Sequence, residues 1–222
     1  MKRFLVFFLR TFGRMGAVLV LAASVVGQVG KPSSGLTFAS GRNANVHKIA
    51  STGPIPFGLA EEVCLNSSNP INCSSLAVLY GFNGDGWLAD LSSCVPEAVW
   101  IYAPGTLGST SPAQNTAYYF RSQFFIPGTP TGGNLCIAAD DKATIWVNGI
   151  LVGTIGSTTD PTLASYAQNN IQHFPIATAL VTGKNIVTVL LENGPATFGG
   201  CPVPDDYSCN PSGVVYGGTA TW

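Results

Sequence analysis

Two adjacent carboxylates, Asp140 and Asp141, are the residues best placed to do chemistry in this sequence. They directly follow the apolar segment 135–139 and precede Lys142. Adjacent carboxylates and loop carbonyls can together supply the roughly six to eight oxygen ligands that Ca²⁺ requires. The pair therefore predicts a calcium site. The alternative is that the two carboxylates accept backbone N–H bonds in a turn.

Aromatic side chains that could stack on a sugar ring form a second candidate set. A sugar site combines aromatic faces, which cover the C–H surface of the ring, with a few polar groups for its hydroxyls. The aromatic residues available are Trp87, Trp100, Trp146, Tyr118 and Tyr119. Trp87 follows a Gly-rich turn and Trp146 alternates out of phase with its apolar neighbours, which favours these two over the alternative that every ring fills the core. The predicted carbohydrate contacts are Trp87, Trp146, Asp140, Asp141 and Asn148.

The residue combinations that catalysis would need are scarce. A glycoside hydrolase requires two carboxylates on either side of the sugar, and the available pair is Asp140 or Asp141 with Glu192. Glu192, however, lies in an E-N-G sequence that is typical of a strand end. The two histidines, His47 and His173, lie in unrelated contexts without a Gly-x-Ser-x-Gly motif, which disfavours a hydrolase triad and a histidine metal site. The sequence predicts a protein without catalytic activity.

The segment 135–153 must position these residues, and it has the pattern of a β-hairpin. Apolar residues alternate with other side chains from Ala143 to Val147, which predicts a strand with one strongly apolar face. The following Asn148-Gly149 pair favours φ > 0 and hence a tight turn between antiparallel strands. Ile150 to Val152 then continues as the second strand.

Alternation and turn residues predict about ten short strands in the whole chain. Ile186 to Glu192 is apolar on both sides, which predicts a central strand buried on both faces. Segment 156–170 has the composition of a polar loop, and 177–181 that of a single helical turn. Short strands separated by Gly and Pro predict an all-β fold, an antiparallel sandwich or jelly roll. The clearest strand is Tyr118 to Ile126, with Tyr118, Phe120, Ser122, Phe124 and Ile126 on one face and Tyr119, Arg121, Gln123 and Phe125 on the other.

Four motifs in order resemble the galactose-binding-domain-like jelly roll. They are W-I-Y-A-P-G at 100–105, Y-F-R-S-Q-F at 119–124, A-D-D-K-A-T-I-W-V-N-G at 139–149 and G-K-N-I-V-T-V-L-L-E-N-G at 183–194. The resemblance implies a jelly-roll β-sandwich in which V-N-G turns a hairpin and G-x-N opens the strand that returns to the core. The family includes lectin-like and carbohydrate-binding modules, so the resemblance also implies carbohydrate binding. The adjacent aspartates are similar to the calcium-binding pair of a related adhesin sandwich.

The amino terminus has the pattern of a secretory signal peptide over residues 1–27. Basic residues precede an apolar run from Ala17 to Val26, and small residues surround a predicted cleavage point. The run is shorter than the about 20 residues that a membrane-spanning helix needs. The sequence therefore predicts a secreted protein with no membrane segment after cleavage, and a retained signal anchor is the alternative. A flexible lead-in over 28–56 and a galactose-binding-like sandwich domain over 57–222 would follow.

The charge distribution argues against nucleic acid as a partner. Charged residues make up only 9% of the chain. Four of the ten basic residues lie in the predicted signal peptide and all eleven acidic residues follow it, so cleavage leaves six basic residues against eleven acidic ones. Phosphate polymers require clustered Lys and Arg, and the sequence has no such cluster. The surplus of acidic residues also disfavours anionic membranes.

Six cysteines behind a signal peptide predict a fold stapled by three disulfides. Two short loops with Pro and Asn turn residues favour two of the pairs, although other pairings are open. The first loop also holds two N-x-Ser sequons, Asn66 and Asn72, which would be glycosylation sites in a eukaryotic protein. The favoured pairs are Cys64–Cys73, Cys201–Cys209 and, by what remains, Cys94–Cys136.

Two functions follow from these observations. The favoured one is a secreted, non-catalytic, lectin-like protein that binds carbohydrate, with calcium as its predicted cofactor. The alternative is an extracellular structural or adhesive protein that self-associates or binds another protein through the sandwich surface. The small share of charged residues leaves room for exposed apolar patches, which would favour the alternative.

Overall fold

Antiparallel β-strands form most of the regular structure in the described part of this chain. The computed structural model describes residues 34–41, 45–50, 53–59, 61–62, 81–82, 85–86, 91–103, 114–199 and 210–222. The described strands are β1 (Gly35–Ala39), β2 (Asn45–Ala50), β3 (Gly53–Leu59), β4 (Glu61–Glu62), β5 (Gly81–Phe82), β6 (Asp85–Gly86), β7 (Ile101–Tyr102), β8 (Ala117–Ile126), β9 (Gly132–Asp140), β10 (Lys142–Val147), β11 (Ile150–Gly156), β12 (Gln172–Pro175), β13 (Gly183–Glu192) and β14 (Gly213–Thr221). Helix α1 (Pro161–Asn169) follows β11, and short 3-10 helices lie at Leu91–Ser93, Ala177–Ala179 and Ala196–Gly199.

The described strands form two large sheets. In the first sheet the order is β12-β9-β14-β7-β4, and β1 also pairs with β14. In the second sheet the order is β11-β10-β13-β8-β2-β3. Strands β5 and β6 pair with each other in a separate two-stranded sheet. The predicted antiparallel β architecture is confirmed, with one helix added. The jelly-roll connectivity stays a prediction.

The core contains the side chains that the two sheets turn toward each other. Ile137 and Tyr216 of the first sheet and Phe120 of the second are completely buried. The Tyr216 hydroxyl lies 2.6 Å from the Oγ atom of Ser122, which is a hydrogen bond from one sheet to the other. Burial raises the pKa of Tyr216 to about 12, and the bond with Ser122 opposes this shift. The phenol therefore stays neutral, and its burial carries no charge into the core.

Strand β8 alternates as the sequence predicts. Tyr118, Phe120 and Ile126 are buried, whereas the side chains between them are exposed or half-buried. Phe124, also on the inner face, stacks on Phe38 of β1 with ring centroids 4.4 Å apart and planes 3° from parallel. The period of two along β8 therefore separates a core face from an outer face.

The hairpin predicted around Asn148-Gly149 is confirmed. β10 and β11 pair antiparallel, and Val147 lies opposite Ile150. The φ angles of Asn148 and Gly149 are 52° and 81°. Most side chains disfavour this left-handed region, and Asn and Gly tolerate it best, so the dipeptide fixes the turn.

Helix α1 lies where the sequence predicts a polar loop over 156–170, and that prediction is wrong. Asp160 caps the helix, because its side chain accepts the N–H groups of Thr162 and Leu163. The buried positions of the helix hold only Ala164 and Ala167. Two small alanines produce a weak apolar signal, which explains why the pattern of the sequence did not indicate a helix.

Strands β1 and β2 and the first part of β3 lie inside the predicted lead-in over 28–56. β1 pairs with β14, and β2 pairs with both β8 and β3. Only Leu36 to Ala39 has a strand-like sequence there. β3 is the last strand in the order of the second sheet, and it contains Pro54 and Pro56, which are tolerated at a sheet edge. The structure thus has strands where the sequence predicts a lead-in, and they belong to the compact unit Ser33–Trp222.

Burial on both faces occurs in the first sheet. β13 is central in the second sheet, as predicted, but its outer side chains are only half-buried or exposed, so burial on both faces is wrong for this strand. On β9 every side chain from Leu135 to Asp140 is buried. Helix α1 packs against β9 of the first sheet and β11 of the second, and Val95 packs against Gly217 of β14.

Cys94 and Cys136 form a disulfide, which confirms that predicted pair. It joins segment 91–95 to β9 on the outer face of the first sheet. Among the residues that the structure describes, no helix has the length and apolar character to cross a membrane. The other predicted features lie outside the described residues: the signal peptide at 1–27, Trp87, Asn66, Asn72, Cys64–Cys73 and Cys201–Cys209.

Candidate functional site

The acidic pair lies at the corner between β9 and β10. Asp140 and Asp141 are buried, with 3% and 6% of their surface exposed. The Oδ2 atom of Asp141 accepts the N–H of Gly194 at 2.6 Å. Oriented as its neighbours require, the Gln168 amide of α1 donates to both carboxylate oxygens of Asp140, at 3.1 and 3.2 Å. The two carboxylates thus hold helix α1 and the end of β13 against this corner.

Burial also affects the acidity of Asp141. It raises the pKa of the Asp141 carboxyl, and hydrogen bonds with the Asp140 side chain and the Gly194 N–H oppose that rise only in part. No third Asp, Glu, His or Cys joins the pair within the described part of the chain. A Ca²⁺ ion prefers a cage of oxygen ligands, whereas here N–H donors point at both carboxylates. The donor set fits the turn alternative better than a calcium cage, and calcium binding stays a prediction.

Asn148 uses its side chain inside the fold. Its Nδ2 donates to the Ala179 carbonyl and to Oδ1 of Asn185, each at 2.8 Å. Its Oδ1 accepts the N–H of Ile186 at 2.9 Å. The V-N-G turn and the G-x-N segment are therefore joined by an Asn–Asn hydrogen bond. Because three bonds occupy the amide, Asn148 supports the hairpin and has little capacity left for a sugar.

Trp146 lies on the outer face of the second sheet, as its alternation predicts. Its ring is half-buried and lies 6.1 Å from the ring of Tyr119 of β8, with the two planes at 59°. Trp100 and Tyr118, by contrast, are buried in the core. The outer face of β8, β10 and β13 therefore carries an aromatic pair that solvent reaches, which we call the aromatic platform (Trp146 and Tyr119).

Polar side chains border the aromatic platform. Thr188 of β13 lies directly opposite Trp146 in the strand register, and Thr144 lies one step along the same face of β10. At one end of the face Lys142 and Glu192 form an ion pair with an N–O distance of 2.7 Å. Beside that pair lies an open depression of about 160 Å³, lined by Asn115, Thr116, Ala117, Thr158, Glu192 and Asn193. The platform and its hydroxyls are the arrangement best suited to a ligand on this surface.

The sequence predicts one half of this arrangement. It favoured Trp146 but did not select Tyr119, although the alternation of β8 places Tyr119 on an outer face. The missing information was the strand order, since β13 lies between β10 and β8. A sequence pattern shows which face a residue takes, but not which strand will be its neighbour.

A group with metal-ligand chemistry lies elsewhere, on the outer face of the first sheet. The Nδ1 atom of His173 lies 3.3 Å from Sγ of Cys136. Cys94, Cys136 and His173 bring three ligand atoms within 4.8 Å of one another. The disulfide occupies both sulfur atoms, so the oxidised cluster can offer a metal only the imidazole of His173.

Neither a protein-family model nor a curated protein matches this sequence. Similar solved structures include the α-L-rhamnosidase of Streptomyces avermitilis complexed with L-rhamnose, at 21% identity and a TM-score of 0.38, over 53% of this chain and 10% of that one. A lectin from Pleurotus ostreatus in complex with GalNAc is 21% identical with a TM-score of 0.36, over 53% of this chain and 28% of that one. An FMN-binding β-glucuronidase from Faecalibacterium prausnitzii is 13% identical with a TM-score of 0.41, over 84% of this chain and 23% of that one.

This chain thus spans between 10% and 28% of the length of those three proteins. A likeness at these TM-scores defines neither the fold nor the ligand of this chain. The two-sheet architecture rests on the strand pairing, and the candidate site rests on its own side chains.

Proposed function

We propose that this protein binds carbohydrate without catalysis, and that the aromatic platform holds the sugar ring. The observation that carries this proposal is the pairing of Trp146 and Tyr119 on one outer face, with ring centroids 6.1 Å apart. Aromatic faces cover the C–H surface of a sugar, and the nearby hydroxyls of Thr144 and Thr188 can exchange hydrogen bonds with its hydroxyl groups.

The positions of the carboxylates support binding without hydrolysis. A glycoside hydrolase requires two carboxyl groups that flank the scissile bond. Asp140 and Asp141 are buried at the β9–β10 corner, away from solvent. Glu192 lies on the outer face, but it is ion-paired with Lys142. The platform therefore has stacking surfaces and hydroxyls beside it rather than a pair of reactive acids.

An extracellular location is part of the same proposal. The basic and apolar pattern of residues 1–27 is typical of a secretory signal peptide. The Cys94–Cys136 disulfide supports an oxidising compartment, because such bonds persist mainly in secreted proteins.

The experiment that tests this function is a glycan-array screen of the secreted chain, followed by calorimetry on any sugar that binds. We expect Trp146→Ala and Tyr119→Ala to weaken binding at least about tenfold, as is usual for a central aromatic contact. Tyr166→Ala is the matched control, because Tyr166 is an exposed aromatic residue on helix α1. Running the screen with Ca²⁺ and again with a chelator tests the predicted cofactor.

Two results would contradict the proposal. One is a folded wild-type protein that binds no sugar on a broad array. The other is sugar binding that Trp146→Ala and Tyr119→Ala leave unchanged. In either case the aromatic platform is not a sugar site.

The alternative function, self-association of an extracellular structural protein, is favoured by one further observation. Phe125, Leu151 and Ile150 are large apolar side chains with 64%, 60% and 52% of their surface exposed. Phe125 lies on the outer face of β8, and the other two open β11 at the end of the strand order. Sedimentation that depends on protein concentration, and that Phe125→Ser or Leu151→Ser abolishes, would favour this function. A monomer at all concentrations would exclude it.

A further inference from the structure

Positive charge is concentrated on the face that carries the aromatic platform. Arg121, Lys142 and Lys184 lie on the outer face of the described strands of the second sheet, with Glu192 as the acidic residue among them. Outside the predicted signal peptide the chain has six basic and eleven acidic residues. Half of those basic residues therefore share one face of a chain in which acidic residues predominate. Such segregation raises the local concentration of anionic ligands.

Arg121 is the cation best placed to act together with the platform. In the strand register Trp146 lies opposite Thr188, and Thr188 lies opposite Arg121, so the three side chains form one row. Adjacent strands lie about 4.8 Å apart, so Trp146 and Arg121 are separated by about 10 Å along this row. That distance suits a ring stacked on Trp146 whose neighbour in the same glycan reaches Arg121.

The cations of this face differ in their availability. Lys142 is ion-paired with Glu192 at 2.7 Å. Arg121 is exposed, and no described carboxylate forms an ion pair with it. Lys184 is also exposed, but it lies opposite Phe125, several residues along the sheet from the Trp146 row. Arg121 is therefore the cation that a ligand on the platform meets first.

We infer that this face selects acidic glycans, in which a uronic acid places its carboxylate on Arg121 while an adjoining ring stacks on Trp146. The inference rests on the proposed function and names its ligand class. A guanidinium presents a planar fork of N–H donors that matches both oxygens of a carboxylate. Three cations, one of them paired, are too few for a phosphate polymer, whose affinity grows with each phosphate that is neutralised.

The test uses the full secreted chain and matched pairs of probes. Oligomers of galacturonate, mannuronate and glucuronate are each compared with their methyl-esterified forms, which keep the sugar rings and remove the charge. We expect at least one uronate to bind about tenfold more tightly than its ester at low salt. Only the free carboxylate can form a charge-assisted hydrogen bond with Arg121. Arg121→Gln should bring that ratio close to one. Lys184→Gln, the matched control, should retain most of it.

The remaining variants distinguish this inference from the function on which it rests. Trp146→Ala should weaken binding of the acid and ester forms alike, since it removes the stacking surface that both share. If the wild type binds acid and ester equally, or only neutral glycans, selection of uronates is wrong while carbohydrate binding stands. Equal preference for a sulfated oligosaccharide of the same charge would also overturn it. If the folded protein binds no glycan of any kind, both proposals fall.

Discussion

Asn185 makes four hydrogen bonds in a place that solvent does not reach. Its Nδ2 donates to the carbonyls of Val181 and Gly183 at 2.8 and 3.0 Å. Its Oδ1 accepts the N–H of Val181 at 2.9 Å and the amide of Asn148 at 2.8 Å. The residue is completely buried. One side chain thus links the β10–β11 turn to the segment that opens β13, which gives the V-N-G and G-x-N motifs a single structural reason.

Replacing this residue with leucine should therefore be costly. Asn185→Leu keeps a similar volume but removes the part-buried hydrogen bonds with the N–H and carbonyl groups of Val181, the carbonyl of Gly183 and the amide of Asn148. Each hydrogen bond contributes about 0.5–1.5 kcal/mol, so we expect the loss of all four to lower the free energy of unfolding by about 3 kcal/mol or more. Urea denaturation measures it. The control is Asn170→Leu, at an exposed position where the side chain donates a single hydrogen bond to the Tyr166 carbonyl, so we expect a change of about 1 kcal/mol or less. A loss below about 1 kcal/mol for Asn185→Leu would show that the network contributes little.

At the scale of elements, the sequence predicts features that neighbouring residues determine and misses those that strand pairing determines. The β10–β11 hairpin and the two faces of β8 were predictable, because Asn148-Gly149 and a period of two act over a few residues. β2 and β3 were not, since their composition resembles a loop and pairing with β8 supplies their order. The aromatic platform was half predictable for the same reason. Trp146 shows its face locally, but its contact with Tyr119 depends on β13 lying between their strands.

Helix α1 is an element whose stability should depend on its cap. Its buried face consists of alanines, so packing contributes less than in a helix with larger apolar residues. The Oδ1 atom of Asp160 accepts the N–H groups of Thr162 at 2.9 Å and Leu163 at 3.3 Å. We expect Asp160→Ala to lower the free energy of unfolding by about 1 kcal/mol and to speed amide exchange in 161–169.

The conservative variant separates capping from other effects of Asp160. Asp160→Asn keeps a side-chain oxygen that can accept the same two N–H groups, so its stability should stay within about 0.5 kcal/mol of the wild type. Equal destabilisation by Ala and Asn would mean that the charge of Asp160, rather than its hydrogen bonds, supports the helix.

At the scale of the whole molecule, the two sheets differ in what lies on their outer faces. Segment 91–95 packs against the first sheet and is joined to it by the Cys94–Cys136 disulfide, and the buried acidic pair lies at the corner where β9 leads into β10. The second sheet turns an outer face with the aromatic platform and three cations to solvent. The disulfide and the proposed ligand site thus lie on opposite sides of the shared core. A change on the first sheet should alter stability without altering affinity.

The disulfide is the change that tests this separation most directly. Cys94 and Cys136 are 42 residues apart, and on the chain-entropy model a bond closing such a loop stabilises by about 4 kcal/mol. The double variant Cys94→Ala/Cys136→Ala should therefore lose about 4 kcal/mol of unfolding free energy. Urea denaturation measures this loss as a lower midpoint. Its affinity for a glycan held by Trp146, measured where the variant is still folded, should match that of the wild type. If affinity falls together with stability, the sheets are coupled through the core, and the platform depends on the covered sheet behind it.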